Sequence, residues 1–182
     1  MHTNYGDSIV IVSYNHSVQP ELPQIQERMN YYNILAYPTV VFDGTDVVFE
    51  NNPNAYDTVF NQHYIVAKSI VPSYNLELTG SVTVNSGQLH LKIGAADTIR
   101  HDSVYAFIAI CEDSIRGDLG GTFNFVVRQL TTIPINVSYP DSLDTIINFN
   151  HNIAPPKMRG VVFLQDRQSK KILQAIKTKF VE

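Results

Sequence analysis

The sequence predicts an α+β protein: a short β-α-β-β-α unit over residues 1–69, then an antiparallel β-sandwich over residues 73–182. Three observations carry this. Val and Ile together number 37, against 11 Leu and 9 Ala, and β-branched side chains favour strands. The apolar period changes from 3.6 to 2 near Val71-Pro72-Ser73. With 182 residues, 44% of them hydrophobic and 16% charged, the chain can bury a core and is too apolar to be disordered.

The elements follow in order. Ser8–Ser13 is a continuous apolar run, the pattern of a strand buried on both faces. After Pro20 and Pro23, Ile25, Met29 and Tyr32 fall at i, i+4 and i+7, a short helix. Thr39–Phe42 and Val47–Glu50 flank Asp43-Gly44-Thr45-Asp46, a hairpin signal. Asn54 is placed to cap the next helix, with Asp57 at N3. That helix sets Tyr56, Val59, Phe60, Tyr64 and Ala67 on one side.

Beyond Ser73, alternation marks Leu76 to Val84, Leu89 to Ile93, Phe123 to Val127, Ile133 to Val137 and Leu143 to Phe149. Val104–Cys111 is apolar at every position and predicts a central strand. Val161–Leu164 and Ile172–Phe180 complete the set, joined at Ser169-Lys170. Seven or eight strands with turns such as Asn85-Ser86-Gly87 predict an immunoglobulin-like sandwich.

Composition excludes several functions. A net charge of −4 argues against nucleic acid as a partner. No apolar run approaches the roughly 18 residues of a membrane span. The single cysteine, Cys111, permits no internal disulfide, Cys-x-x-Cys pair or cysteine-based zinc site. Phosphate-binding, dinucleotide-binding and nucleophile-elbow motifs are missing from the sequence, so no cofactor is implied. Fifteen Asn against 7 Lys and 6 Glu is a composition common in exported chains. The polar start Met1-His2-Thr3-Asn4 does not read as a leader, so an exported natural protein would have lost its own.

The segment Tyr37-Pro38-Thr39-Val40-Val41-Phe42-Asp43-Gly44, with Arg28–Ile34 before it, resembles the C-terminal part of the thioredoxin fold. Asn124–Arg128, Val161–Asp166 and Lys171–Ala175 extend the likeness to the sandwich. Together they resemble bacterial thioredoxin-like proteins of the twenty-eight-kilodalton outer-membrane protein type. The resemblance implies an exported protein, periplasmic or associated with the outer membrane, and makes Pro38 the cis-proline position. It implies no redox residue, because the βα unit that carries Cys-x-x-Cys has neither room nor cysteines before Ser8. The Ser8–Ser13 strand would thereby lack a neighbour. We expect a protein partner, self-association or a further part of the natural protein to cover it.

No residue is assigned a catalytic role and none a metal. Cys111 reads as a buried hydrophobe. The acidic run Glu112–Asp118 reads as a solvated turn, with Ca²⁺ as the alternative. Of the six histidines, His16 alone stands near the thioredoxin-type edge, and with Tyr14, Tyr37 and Pro38 it outlines a peptide groove. His63 reads as a surface or edge residue. From Lys157 onward there are seven basic and two acidic residues, and Lys171, Lys177 and Lys179 read as guards on an outer strand. The expected function is a non-catalytic exported or surface-associated interaction protein. The alternatives are the C-terminal portion of a longer thiol–disulfide oxidoreductase, and a carbohydrate- or calcium-binding sandwich.

Overall fold

The computed structural model describes residues 9–15, 22–98, 101, 103–117 and 120–181. Helix α1 (Pro23–Tyr32) begins on Pro23, whose missing N–H costs nothing at a helix start. It ends on Asn33 in the left-handed conformation, φ 55°. Strands β1 (Thr39–Phe42) and β2 (Asp46–Phe49) form the expected hairpin, with Thr39 opposite Phe49 and Phe42 opposite Asp46. Asp43 and Gly44 both have positive φ at its turn.

Helix α2 (Tyr56–Lys68) follows a 3₁₀ turn at Pro53–Ala55. The expected cap on Asn54 moves to Asn52, whose side chain accepts from the Asn54 amide at 3.1 Å. The 3₁₀ turn inserts between cap and helix, so α2 itself starts on Ala55 without a side-chain cap. Val59, Phe60, Tyr64 and Ala67 of α2 pack against Val40, Phe42 and Val48 as read from their spacing.

The remaining strands are β3 (Tyr74–Val82), β4 (Ser86–Ala95), β5 (Val104–Glu112), β6 (Ile115–Arg116), β7 (Thr122–Phe123), β8 (Val126–Pro134), β9 (Ser142–Asn150), β10 (Met158–Asp166) and β11 (Ile172–Val181). Seven of them make one sheet in the order β8-β5-β10-β11-β3-β4-β9. Every pair is antiparallel except β11–β3, which is parallel through Phe180–Gly80 and Val181–Ser81. The architecture is thus a single curled, mixed sheet where two antiparallel sheets were expected. Leu78, Leu89, Leu91 and Ile93 from one half meet Ile108, Ile110, Val162 and Leu164 from the other. The fold back on itself is tight. A Cβ on Gly80 would stand 2.6 Å from Phe180, and one on Gly160 2.9 Å from Leu89.

Three further expectations change. Ser8–Ser13 is no strand across the described part: only Ser13 bridges, in parallel, to Val126. Val10, Ile11 and Val12 instead lay their side chains on Ala109, Cys111, Val127 and Val161 of the sheet. Those apolar side chains are half-buried against the chain's own β5, β8 and β10. Second, the alternation at Phe123–Val127 breaks at Phe125, which has φ 55° and donates its amide to the Asp113 carboxylate. One long strand, β8, then runs through Ile133, and Ile135 and Val137 lie beyond its end. Third, β11, expected as an outer strand, lies between β10 and β3, although it pairs with β3 only through Phe180 and Val181. Lys177 donates to the Ile9 carbonyl at 2.9 Å and stands over the Phe125 ring.

The β1–β2 turn docks on the β10–β11 turn. Ile172 donates its amide to the Asp43 carbonyl at 2.8 Å, and a Cβ on Gly44 would fall 2.0 Å from the Lys170 carbonyl oxygen. Gly44 also has φ +78°. Gly44→Ala should therefore cost about 2–3 kcal/mol in urea denaturation. Gly94→Ala, with ordinary φ and nothing within 4 Å of the new Cβ, should cost about 0.5 kcal/mol or less.

Candidate functional site

The predicted groove residues divide between two environments. The Tyr37–Pro38 peptide is cis, and both side chains are exposed, Tyr37 at 56%. The Tyr37 hydroxyl donates to the Met29 sulfur at 2.7 Å, which holds the loop to α1. Tyr14 is placed differently. Its hydroxyl is buried beside the Arg28 side chain, among the residues that pack on Cys111 and Val127. Burial pushes its phenol up, while the neighbouring Arg28 charge pulls the other way. His16 lies outside the described residues. Tyr14 and Tyr37 thus approach α1 at successive residues, Arg28 and Met29, one buried and one open.

The feature that sequence reasoning missed is Arg28. Helix α1 turns Ile25 and Arg28 inward, where the expected stripe was Ile25, Met29 and Tyr32. Arg28 is 8% exposed. Its Nη1 donates to Gln165 Oε1 at 2.9 Å and its Nη2 to the Tyr32 hydroxyl at 2.6 Å. Gln165, fully buried, donates from Nε2 to the Tyr32 hydroxyl and to the Lys170 carbonyl. The guanidinium carbon lies 4.7 Å from the Phe107 and Tyr32 ring centres and 5.6 Å from that of Phe163. Phe107 and Phe163 stack on each other at 5.0 Å and 4°. All these partners are neutral. The cation is held by ring faces and hydrogen bonds where a carboxylate would be usual. A pattern of apolar spacing cannot find such a residue, because an arginine scores as surface.

Around this cluster the β10–β11 turn gathers the neighbouring segments. Lys170 Nζ donates to the Tyr31 carbonyl, the Tyr31 hydroxyl donates to the Arg167 carbonyl, and the Arg167 amide donates to the Ser103 carbonyl. Asp166 accepts from the amides of Gln168 and Ser169 and faces His101 at 3.5 Å. Burial alone would raise the Asp166 carboxyl. The two amides and His101 outweigh it and hold the pKa below the ordinary value of 3.8.

The other sequence candidates are occupied structurally. Cys111 is fully buried, and that burial raises its thiol pKa, so it has neither access nor thiolate character. Glu112 pairs with Arg128 at 3.2 Å and Asp113 with Arg159 at 2.8 Å, so neither carboxylate stands as a free turn residue. Among the described residues no group of three His, Cys, Asp or Glu side chains is arranged to hold a metal. His63 is half-buried, stacked on Phe42 and 2.5 Å from Asp46. No helix is long and apolar enough to cross a membrane.

Comparison with known proteins places the fold. No family model matches the chain, and no curated protein matches it. Among solved structures it is similar to HBP35 of Porphyromonas gingivalis, with a TM-score of 0.67 at 10% identity, over 87% of this chain and 58% of that one. A domain of the outer membrane lipoprotein Omp28 from Porphyromonas gingivalis is a second neighbour, with a TM-score of 0.42 at 12% identity, over 61% of this chain and 90% of the domain. The class defined is therefore a curled mixed-sheet protein with small helical additions, sharing the fold of HBP35. The chain spans a little over half the length of that protein.

Two expectations follow from the site. Arg28→Ala should destabilise by about 2–4 kcal/mol in chemical denaturation, because it opens space over Phe107 and strips Gln165 of a partner. The pH dependence has a definite sign. A depressed folded-state pKa contributes stability that is present above the ordinary carboxylate pKa and is lost as pH falls through the folded value. Stability measured from pH 6 downward should fall below about pH 4, and Asp166→Asn should flatten part of that acid limb.

Proposed function

We propose that this chain is a non-catalytic, exported or surface-associated interaction protein of the Omp28 type, its N-terminal part a reduced thioredoxin-like unit and its C-terminal part a variant of the immunoglobulin-like sandwich. The observation that carries the reading is the state of the one thiol: Cys111 lies fully buried beneath Val10, Ile11 and Val12. Thiol–disulfide exchange needs an exposed thiolate attacking in line, and this chain offers none. The exposed Tyr37–Pro38 step is where we place contact with an extended peptide, by addition of main-chain hydrogen bonds beside β1. The likeness to HBP35 over 87% of the chain supports relatedness of fold. The motif resemblance and the Asn-rich, Lys-poor composition support export to the cell envelope.

The competing reading is that these residues belong to a longer oxidoreductase. The two separate in an insulin-reduction assay. The 182-residue chain should show no turnover above background, and turnover by it would overturn the proposal. An upstream reading frame encoding Cys-x-x-Cys some tens of residues before Ser8 would transfer the activity to the longer protein.

A further inference from the structure

The two edges of the curled sheet are built differently. The β8 edge is interrupted: Ser13 bridges to its first residue, its register shifts opposite Ile110 and Cys111, and it ends on Pro134. Each is a device that hinders further strand pairing. The β9 edge carries none of them. Its nine residues pair with β4 in unbroken register from Ser142–Gly94 to Asn150–Ser86. It contains no Lys, Arg or Pro. Its one ionisable side chain, Asp144, is engaged by His90 of β4 at 2.5 Å.

The direction of its free groups can be read off. The Asp141 carbonyl and the His151 amide bond toward β4, to Ala95 and Asn85. Odd-numbered residues of β9 therefore point their main-chain groups at β4. Ser142, Asp144, Ile146, Asn148 and Asn150 point theirs outward. Of these, the Asn150 carbonyl accepts from the Gln129 side chain. Ile146, at the centre, is 54% exposed, and Leu143, Ile147 and Phe149 on the inner face are only half-buried.

We propose that this chain forms a twofold dimer in which β9 pairs antiparallel with β9 of a second copy, centred on Ile146. A second copy fits because the strand is complementary to itself in that register. Ile146 meets Ile146, Asp144 meets Asn148, Leu143 meets Phe149, and Thr145 meets Ile147. No like charges are opposed, and the half-buried inner residues gain apolar neighbours. Ile146 sits at a hydrogen-bonded pair, where the two Cα atoms stand about 5.5 Å apart, within disulfide range. The inference goes beyond the proposed function and does not rest on it.

Sedimentation of the 182-residue chain from tens to hundreds of micromolar should show a concentration-dependent dimer. Ile146→Lys, an outward guard, should weaken it by about tenfold or more. Ile146→Pro, which removes only an outward-facing donor, should do the same while leaving the β4 ladder intact. Ile146→Cys should oxidise to a covalent dimer about tenfold faster than Val84→Cys, a more exposed site in the β3–β4 turn. Buried Cys111 does not compete. A chain that stays monomeric at several hundred micromolar overturns the proposal, as does a dimer unaffected by the change at Ile146. Equal cross-linking at Val84 also overturns it, and that readout stands even where the Lys and Pro variants fail to fold.

Discussion

A strand that is apolar on both faces has to be covered on both faces, and β5 and β10 impose that condition on the rest of this protein. Their inward side chains fill the curl against β3 and β4. Their outward side chains, Phe107, Ala109, Cys111, Val161 and Phe163, would leave a broad apolar surface in water. The chain covers it with its own N-terminal residues. Val10, Ile11, Val12 and Leu22 take one end, and Arg28 with Tyr32 takes the other. The first third of the chain is thus a lid on the sheet as much as a unit of its own.

The polar end of that lid sets its position. Apolar contact is non-directional, so by itself it would let α1 slide over Phe107 and Phe163. The Arg28–Gln165–Tyr32 bonds fix the helix in place, and Gln165 passes the constraint to the Lys170 carbonyl. The same turn holds the β1–β2 hairpin through Asp43 and Gly44 and the β4–β5 connection through Ser103. An uncompensated charge in such a place is costly unless its hydrogen bonds and ring faces are in position. The cluster therefore favours one docking geometry over its near alternatives. The exposed Tyr37–Pro38 loop, tied to α1 by the Tyr37–Met29 contact, inherits its position from that geometry.

This arrangement also bears on chemistry. Among the described residues the Tyr37–Pro38 step faces solvent, while the one thiol lies beneath Val10, Ile11 and Val12 in an apolar cluster.

The sequence by itself determined most of the local structure. Period and turn chemistry placed α1, the β1–β2 hairpin, α2 and most of the long strands, because burial on one or two faces writes itself into spacing. It also showed, from a single cysteine, that no disulfide chemistry is internal to the chain. Four features needed the tertiary structure. Val10–Val12 read as a strand because an apolar run looks the same whether it pairs its backbone or only lays its side chains on a sheet. The kink at Phe125 depends on the Asp113 carboxylate, twelve residues away. The neighbours of β11, and the reach of Lys177 to the Ile9 carbonyl, were hidden because spacing does not tell which strand lies beside which. Arg28 was invisible as a core residue, because its burial depends on Gln165, 137 residues distant, and on two rings from β5 and β10. Local propensity is a property of neighbours in sequence, whereas the burial of a charge is decided by whichever distant groups close around it.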